Sequence, residues 1–307
     1  MNISQKEALA ALVSHRVKWN CPLNRYNSFS IGGPANAVIT VDRRDELPPL
    51  LKFLTKEKVE WQIIGRGTNL LVKDSGFPGV ILILGRQFQT ISSILEDSLE
   101  DVKVKAGGAR SLGRLALNCV DRGFTGLEFA SGIPGTVGGS VIMNAGAWGD
   151  ELATKIESIT LVTTDGERKI GRKDLDFGYR CWNNYGKFGD KAIVTEVEFR
   201  LRRGDPEKIR ERCLILQEKR RKKQPRGYAN AGSFFKNPVN DSAGRLIEAS
   251  GLKGAKIGGA MVSEKHANFF INSGDATAGD VIALMRRVQE KVKNDCGVDL
   301  EPEVHFF

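Results

Sequence analysis

The 307-residue sequence has little of what builds metal centres or disulfide frameworks. Its five cysteines, Cys21, Cys119, Cys181, Cys213 and Cys296, are scattered, odd in number and form no CxxC pair. That argues against both a disulfide scaffold and a zinc site. The three histidines, His15, His266 and His305, form no HExxH pattern, and no bound metal is expected. No apolar run is long enough to span a bilayer. The stretch Met1–Trp19 has a short alanine-rich patch but no basic leader, long apolar core or cleavage site, so a cytoplasmic setting is expected. Aromatic residues make up 7% of the chain, and none interleaves its one strong basic run, Lys219-Arg220-Arg221-Lys222-Lys223. That weakens a nucleic-acid stacking platform. Internal repeats and low-complexity segments are absent.

What is present is ordinary globular composition, room for two or three domains, and a net charge of +9. The charge suits anionic ligands such as nucleotides and diphosphates. Of the 34 glycines, seven fall in Gly126–Gly149, GLEFASGIPGTVGGSVIMNAGAWG, which holds almost no charge. Ile133-Pro134-Gly135 reads as a tight turn. Bare amides in such a loop can cradle a diphosphate without a lysine, although a glycine-rich loop that only packs is the plainer alternative. A second loop, Gly65-Arg66-Gly67-Thr68-Asn69, follows a short apolar strand. It lacks the spacing of a dinucleotide fingerprint, because Leu70-Leu71-Val72 reads as strand rather than helix.

The pattern predicts a first helix with a Ser4/Glu7 capping box, a helix over Asp45–Lys58 with Leu50, Leu51 and Leu54 inward, and a helix over Ser111–Arg122 stopped by Gly123. Strands are expected at Val38–Val41, Trp61–Ile64, Val80–Leu84, Val102–Ala106 and Ile193–Leu201. A hairpin is expected between Ile156–Thr164 and Glu167–Ile170, turning on Asp165-Gly166. Asp205 caps a helix opened by Pro206 and running into the basic run. Helices over Ala243–Ser250 and Gly279–Cys296 end at Gly251 and Gly297. The order implies an α+β protein.

Three residues outside the glycine loops could carry chemistry. Arg180, in Phe177-Gly178-Tyr179-Arg180, could clamp a carboxylate with its fork, although taken singly it reads as a surface arginine. Ser233, in Ala231-Gly232-Ser233-Phe234-Phe235-Lys236-Asn237-Pro238, would be desolvated, but lies outside any GxSxG elbow. Glu303, in Leu300-Glu301-Pro302-Glu303-Val304, is an acid in a terminal strand, where a solvated edge is the plainer reading.

Together, GRGTNLLV at 65–72, GIPGTVGGSVIMNAGAWG at 132–149, AGSFFKNP at 231–238 and LEPEV at 300–304 stand in the order found in one family. The chain resembles the UDP-N-acetylenolpyruvoylglucosamine reductases (UDP-N-acetylmuramate dehydrogenases) of bacterial peptidoglycan synthesis, from about Asn27 to Phe307. The resemblance implies an FAD-binding fold of the vanillyl-alcohol oxidase (PCMH) type, followed by a smaller α/β substrate-binding domain. The expected division is an N-terminal helix (1–24), an FAD-binding domain (25–204, split near 90), a substrate-binding domain (205–299) and a terminal strand (300–307) that returns Glu303 to the site.

The resemblance further implies non-covalent FAD held by Gly65, Arg66, Gly67, Thr68, Asn69, Gly132, Ile133, Pro134, Gly135, Thr136, Gly138 and Gly139, with Asn144, Ala145 and Gly146 near it. NADPH is the implied reductant and UDP-N-acetylglucosamine enolpyruvate the implied substrate. Ser233 matches the residue that protonates the substrate carbon, and Arg180 and Glu303 match the pair that stabilises charge on its carboxylate. A glutamate in that place helps when it is protonated or shares a proton. Lys223 matches a lysine on the substrate diphosphate, Asn237 another substrate contact, and His266 and Asn268 the substrate wall. Two departures are Trp148, where tyrosine is expected, and Ser30, where a basic residue is common. The length fits the shorter subtype of the family, and a monomer without nucleic-acid or membrane partners is expected. The other readings are a related flavin oxidase of sugars or alcohols, which would not need AGSFFKNP with Arg180 and Glu303, and a non-enzymatic nucleotide- or nucleic-acid-binding protein.

Overall fold

The computed structural model describes residues 1–13, 16–96, 100–189 and 191–307, so His15 lies outside the described residues. The chain forms two units. The first contains Met1–Trp19, Ala37–Gly65 and Gly79–Lys219; the second contains Asn20–Asn36, Arg66–Pro78 and Arg220–Phe307.

In the first unit, α1 spans Ile3–Leu12. Its cap is Asn2, whose side chain accepts from Gln5 while Gln5 returns a bond to the Asn2 amide. The capping box is therefore two residues earlier than Ser4/Glu7, because asparagine caps as well as serine and the helix begins at Ile3. Helix α2, Leu47–Lys56, starts with prolines in its first turn and buries Leu50, Leu51 and Leu54. They pack with Ile39, Trp61, Val80 and Leu82. Helix α3, Leu112–Asp121, is capped by Ser111 and buries Leu112, Leu115, Ala116 and Cys119. Each buried leucine contributes roughly 1.5–3 kcal/mol of transfer free energy. Burial pushes the Cys119 thiol up to about 12, so it sits in the core as a neutral group.

A six-stranded antiparallel sheet lies beside α3 in this core, in the order 166–171, 156–163, 193–203, 101–107, 91–96, with 124–125 also on 193–203. Strand Ile193–Arg203 buries Ile193, Thr195, Val197, Phe199 and Leu201 as its alternation predicts. Glu198 on the other face is also buried, with Lys105 and Lys169 at 3.6 and 3.4 Å. The hairpin turns on Thr164-Asp165, since Thr163 pairs with Gly166. Gly166 has φ 121°, so it opens the return strand in a conformation only glycine takes freely. A six-residue helix, α4 (Val137–Ile142), carries the glycine-rich turn, and α5 (Pro206–Lys223) runs into the basic run, with Asp205 accepting from the Glu207 amide. Arg221 and Lys222 are exposed, but Arg220 is half-buried and desolvation lowers its pKa.

In the second unit, a four-stranded antiparallel sheet has the order 229–233, 269–272, 260–262, 256–257. Helices α6 (Ala243–Ala249) and α7 (Ala278–Cys296) pack on its core with Phe234, Phe235 and Phe270. The Phe234 and Phe270 rings stack at 4.1 Å, and Phe235 meets both edge-on. The last strand, His305–Phe306, pairs parallel with Leu70–Leu71. Helix α7 has a Thr277/Asp280 capping box and a left-handed Gly297 stop. Asp74 adds a carboxylate to its first turn, accepting from the amides of Ala278 at 2.8 Å and Gly279 at 3.0 Å.

A carboxylate satisfying two otherwise unpaired amides at the positive end of a long helix sets the expected effect of removing it. Asp74→Ala should lower unfolding free energy by about 1–2 kcal/mol in urea melts. An unchanged midpoint would contradict that capping role.

Candidate functional site

The first unit brings Gly65 against Thr136. A Cβ on Gly65 would fall 2.4 Å from the Thr136 hydroxyl oxygen, which already accepts from the Gly139 amide. The turn is held from its other side too. Leu112 donates to the Gly135 carbonyl, and Ser111 bridges Thr136. Val137 and Gly138 donate to the carbonyls of Arg110 and Gly108 at 2.8 Å, and Ser140 donates to Thr136. The amides at 137–140 are thus claimed by the chain. Those four amides are therefore not bare donors: the turn spends them on its own anchoring. What it offers a ligand is exposed glycine surface at Gly139 and freedom from acidic residues across 132–139.

Arg180 occupies a two-residue hairpin turn. Phe177–Gly178 pairs with Cys181–Trp182, leaving Tyr179-Arg180 at the tip. Arg180 has φ 56°, in the left-handed region. One guanidinium nitrogen, Nη2, donates to the Gly146 carbonyl at 2.9 Å, and the guanidinium carbon lies 5.2 Å from the Tyr179 ring centroid. A Cβ on Gly146 would come 3.2 Å from Arg180 Nη1, so glycine permits this approach. Trp148 is exposed at the tip of the neighbouring Gly146–Glu151 hairpin.

The second unit builds the surroundings of Ser233. Strand Ala229–Ser233 carries one extra residue between Asn230 and Ser233 relative to its partner, with Gly232 at φ 81°. The glycine before Ser233 therefore makes a β-bulge, a device that re-aims the following side chain. Beyond it the backbone is fixed on both sides. Phe234 donates to the Asn268 carbonyl at 2.7 Å and accepts from the Glu303 amide at 2.8 Å. The Asn268 side chain accepts from the Phe235 amide and donates to the Phe235 carbonyl, at 2.9 and 2.8 Å. Asn268 is 2% exposed, so its carboxamide supports this segment from inside. Asn69 donates to the Glu303 carbonyl at 3.0 Å, and its own carbonyl accepts from His305. Ser233, Glu303, Asn268 and Asn69 are thereby gathered into one cluster.

His266 Nδ1 accepts from the Asn268 amide at 3.2 Å, which leaves the ring proton on Nε2. Burial, helped by Lys223 and Lys253, holds its pKa below the ordinary imidazole value, so the ring is neutral at pH 7. Lys223 is exposed at the end of α5, and the Asn237 side chain accepts from the Ala243 amide at 3.1 Å. In the other glycine loop, a Cβ on Gly67 would fall 2.2 Å from the Tyr26 carbonyl oxygen, and Ser28 donates to the Gly67 carbonyl. Among the described residues the amides of Arg66 and Gly67 donate to no protein carbonyl. Donors left open in a glycine loop, without acidic neighbours, fit the diphosphate of a dinucleotide cofactor such as FAD. The sequence reading missed the structural use of Asn144 and Asn268. An asparagine set between apolar residues, as in Ile-Met-Asn-Ala and His-Ala-Asn-Phe, is the one signal it carried.

Residues 35–170 match a family described as an FAD binding domain, and residues 224–307 match the C-terminal domain of UDP-N-acetylenolpyruvoylglucosamine reductase. The chain is 40% identical to the UDP-N-acetylenolpyruvoylglucosamine reductase of Syntrophus aciditrophicus over 98% of its length and 95% of that relative. It is 40% identical to that of Geobacter sulfurreducens over 100% of its length and 99% of that relative. The crystal structure of UDP-N-acetylenolpyruvylglucosamine reductase from Thermus caldophilus is similar with a TM-score of 0.79 at 34% identity, covering 95% of this chain and 98% of that one.

The Gly65–Thr136 contact sets a further expectation. Gly65→Ala must displace a β-branched side chain that caps α4, at about 1–3 kcal/mol. FAD affinity in reconstitution titrations should fall by roughly ten- to a hundredfold. Unaltered affinity would show that this contact does not shape the cofactor loop.

Proposed function

The chain belongs to the UDP-N-acetylenolpyruvoylglucosamine reductase family, and from that premise we propose how its residues divide the work. It is an FAD-containing, NADPH-dependent oxidoreductase that reduces UDP-N-acetylglucosamine enolpyruvate to UDP-N-acetylmuramate in peptidoglycan synthesis. FAD, when bound, supplies hydride transfer from NADPH to the enolpyruvyl methylene carbon. Negative charge then develops on the adjacent carbon and its carboxylate.

Ser233 is the proposed proton donor. Its hydroxyl gives a proton to that carbon and regains one from solvent. A carbanion is basic enough to deprotonate an alcohol, so no histidine need activate the serine. Arg180 holds the carboxylate through its planar fork, a task a point charge does less well. Glu303 is its proposed partner in stabilising the developing charge. Lys223 takes the substrate diphosphate, Asn237 makes a further substrate contact, and neutral His266 offers an Nε2–H donor on the wall. Gly65–Asn69 and Gly132–Gly139 hold the cofactor diphosphate. What supports Ser233 most directly is the bulge at Gly232 together with the Glu303 amide on Phe234. A catalytic donor needs a fixed position, and that backbone has one.

Among the described residues, no helix is long and apolar enough to cross a membrane. The proposed setting is the cytoplasm and the proposed state a monomer, which light scattering tests directly; a dimer mass would contradict it.

The test of the main reading is anaerobic stopped-flow on Ser233→Ala. The variant should retain FAD and its reduction by NADPH. Reoxidation by the enolpyruvyl substrate should slow by roughly 10²–10⁴-fold. Reoxidation at the parent rate would remove Ser233 from the role of proton donor.

A further inference from the structure

We propose that Asn144 is a positioning residue for Arg180: its carboxamide holds the hairpin on whose tip Arg180 stands. The inference rests on the carboxylate-binding role given to Arg180 above. Asn144 is 0% exposed and has φ 39°, in the left-handed region. Its side-chain oxygen accepts from the Ala153 amide at 3.0 Å, and its side-chain nitrogen donates to the Gly178 carbonyl at 2.9 Å. Gly178 is the residue immediately before the Tyr179-Arg180 turn. Two residues beyond Asn144, the Gly146 carbonyl accepts from Arg180 Nη2. Residues 144–146 therefore grip the hairpin twice, once by its backbone and once by the guanidinium itself.

The hairpin needs that grip. Each of its strands is two residues long, and its base is closed by the Asn183 amide on the Asp176 carbonyl. So short a ladder gives little independent stability. Arg180 also occupies a left-handed conformation that L-residues avoid, and such a conformation persists only where its surroundings over-determine it. The gripping segment is itself anchored. Asn144 donates to the Val141 carbonyl, Ala145 donates to Ser140 at 2.8 Å, and the Ala145 carbonyl accepts from Leu152.

Asparagine is suited to this position for two reasons. It tolerates left-handed backbone better than most residues, and it presents a donor and an acceptor on one planar group. Here each is used on a different partner. The side chain of a segment expected to meet the cofactor is thus engaged in aiming a substrate-binding arginine.

Asn144→Asp keeps the backbone preference and the acceptor for Ala153, and replaces the donor to Gly178 with a second oxygen. The experiment is a double-mutant cycle on the full-length, FAD-loaded protein, using Asn144→Asp, Arg180→Ala and the pair. Both half-reactions are followed by anaerobic stopped-flow. Asn144→Asp alone should slow reoxidation by the enolpyruvyl substrate by roughly 10- to 100-fold, the scale of a misplaced binding group. Reduction by NADPH should stay within about twofold. In the Arg180→Ala background the same change should slow reoxidation by less than about twofold, since its effect runs through a side chain no longer there. A merely structural role would slow both backgrounds alike, and that result would overturn the inference. So would parent-like reoxidation in Asn144→Asp. If Arg180→Ala alone leaves reoxidation unchanged, the role of Arg180 itself fails, and the inference with it. Should Asn144→Asp not be recovered folded, Asn144→Gly accepts the same backbone without strain and carries the same cycle.

Discussion

The backbone from Ser233 to Lys236 is claimed on both sides, and the second unit is organised around that constraint. Asn268 takes the Phe234 amide with its own carbonyl and both polar groups of Phe235 with its side chain. The terminal segment takes the rest, with the Glu303 amide on Phe234 and the Glu301 carbonyl on Lys236. Buried peptide groups must find partners, so a segment satisfied by two distant stretches has one conformation rather than several. Ser233 enters it from a bulge, and the phenylalanines that follow lock into the stacked core with Phe270. Glu303, the proposed partner of Arg180, lies in the same terminal segment that supplies the fixing bonds. Placement and chemistry thus share one set of hydrogen bonds.

The first unit solves a different problem, a bare surface for a large anion. Its turn at Gly132–Gly139 is anchored through the amides of Val137, Gly138 and Gly139, which are spent on Arg110, Gly108 and Thr136. Its neighbour Gly65 is as small as the contact with Thr136 requires. Flavin chemistry is supplied by the cofactor, so the protein contributes shape and orientation rather than reactive groups. Arg180, the proposed carboxylate clamp, is held by the carbonyls of Gly146 and, through Asn144, of Gly178.

Much of the fold was legible in the sequence. Helices α2, α3 and α7 declare themselves through apolar residues at helical spacing, with Ser111 and Gly297 as boundary signals. Strand Ile193–Arg203 declares itself by alternation. What was hidden has no period. Leu70–Leu71 and the terminal segment read as strand, but nothing local shows that they pair in parallel, more than two hundred residues apart. The same is true of Asn20–Asn36 and Arg66–Pro78, which nothing local assigns to a unit completed by the C-terminal third. The hairpin turn shifted by one residue because Gly166 serves as the first residue of a strand instead of the last of a turn. In the site, the candidate residues for the chemistry stood out by motif. The supporting use of Asn144 and Asn268 did not, because a buried amide used for support and one used for a ligand look alike in one dimension.

The measurement that tests the account most directly is an anaerobic flavin titration of the purified, FAD-loaded protein. NADPH should bleach the flavin absorbance, and UDP-N-acetylglucosamine enolpyruvate, added without oxygen, should restore it with formation of the saturated sugar nucleotide. Bleaching with no recovery on that substrate would contradict the account, because Ser233, Arg180 and Glu303 would then have no carbanion to serve.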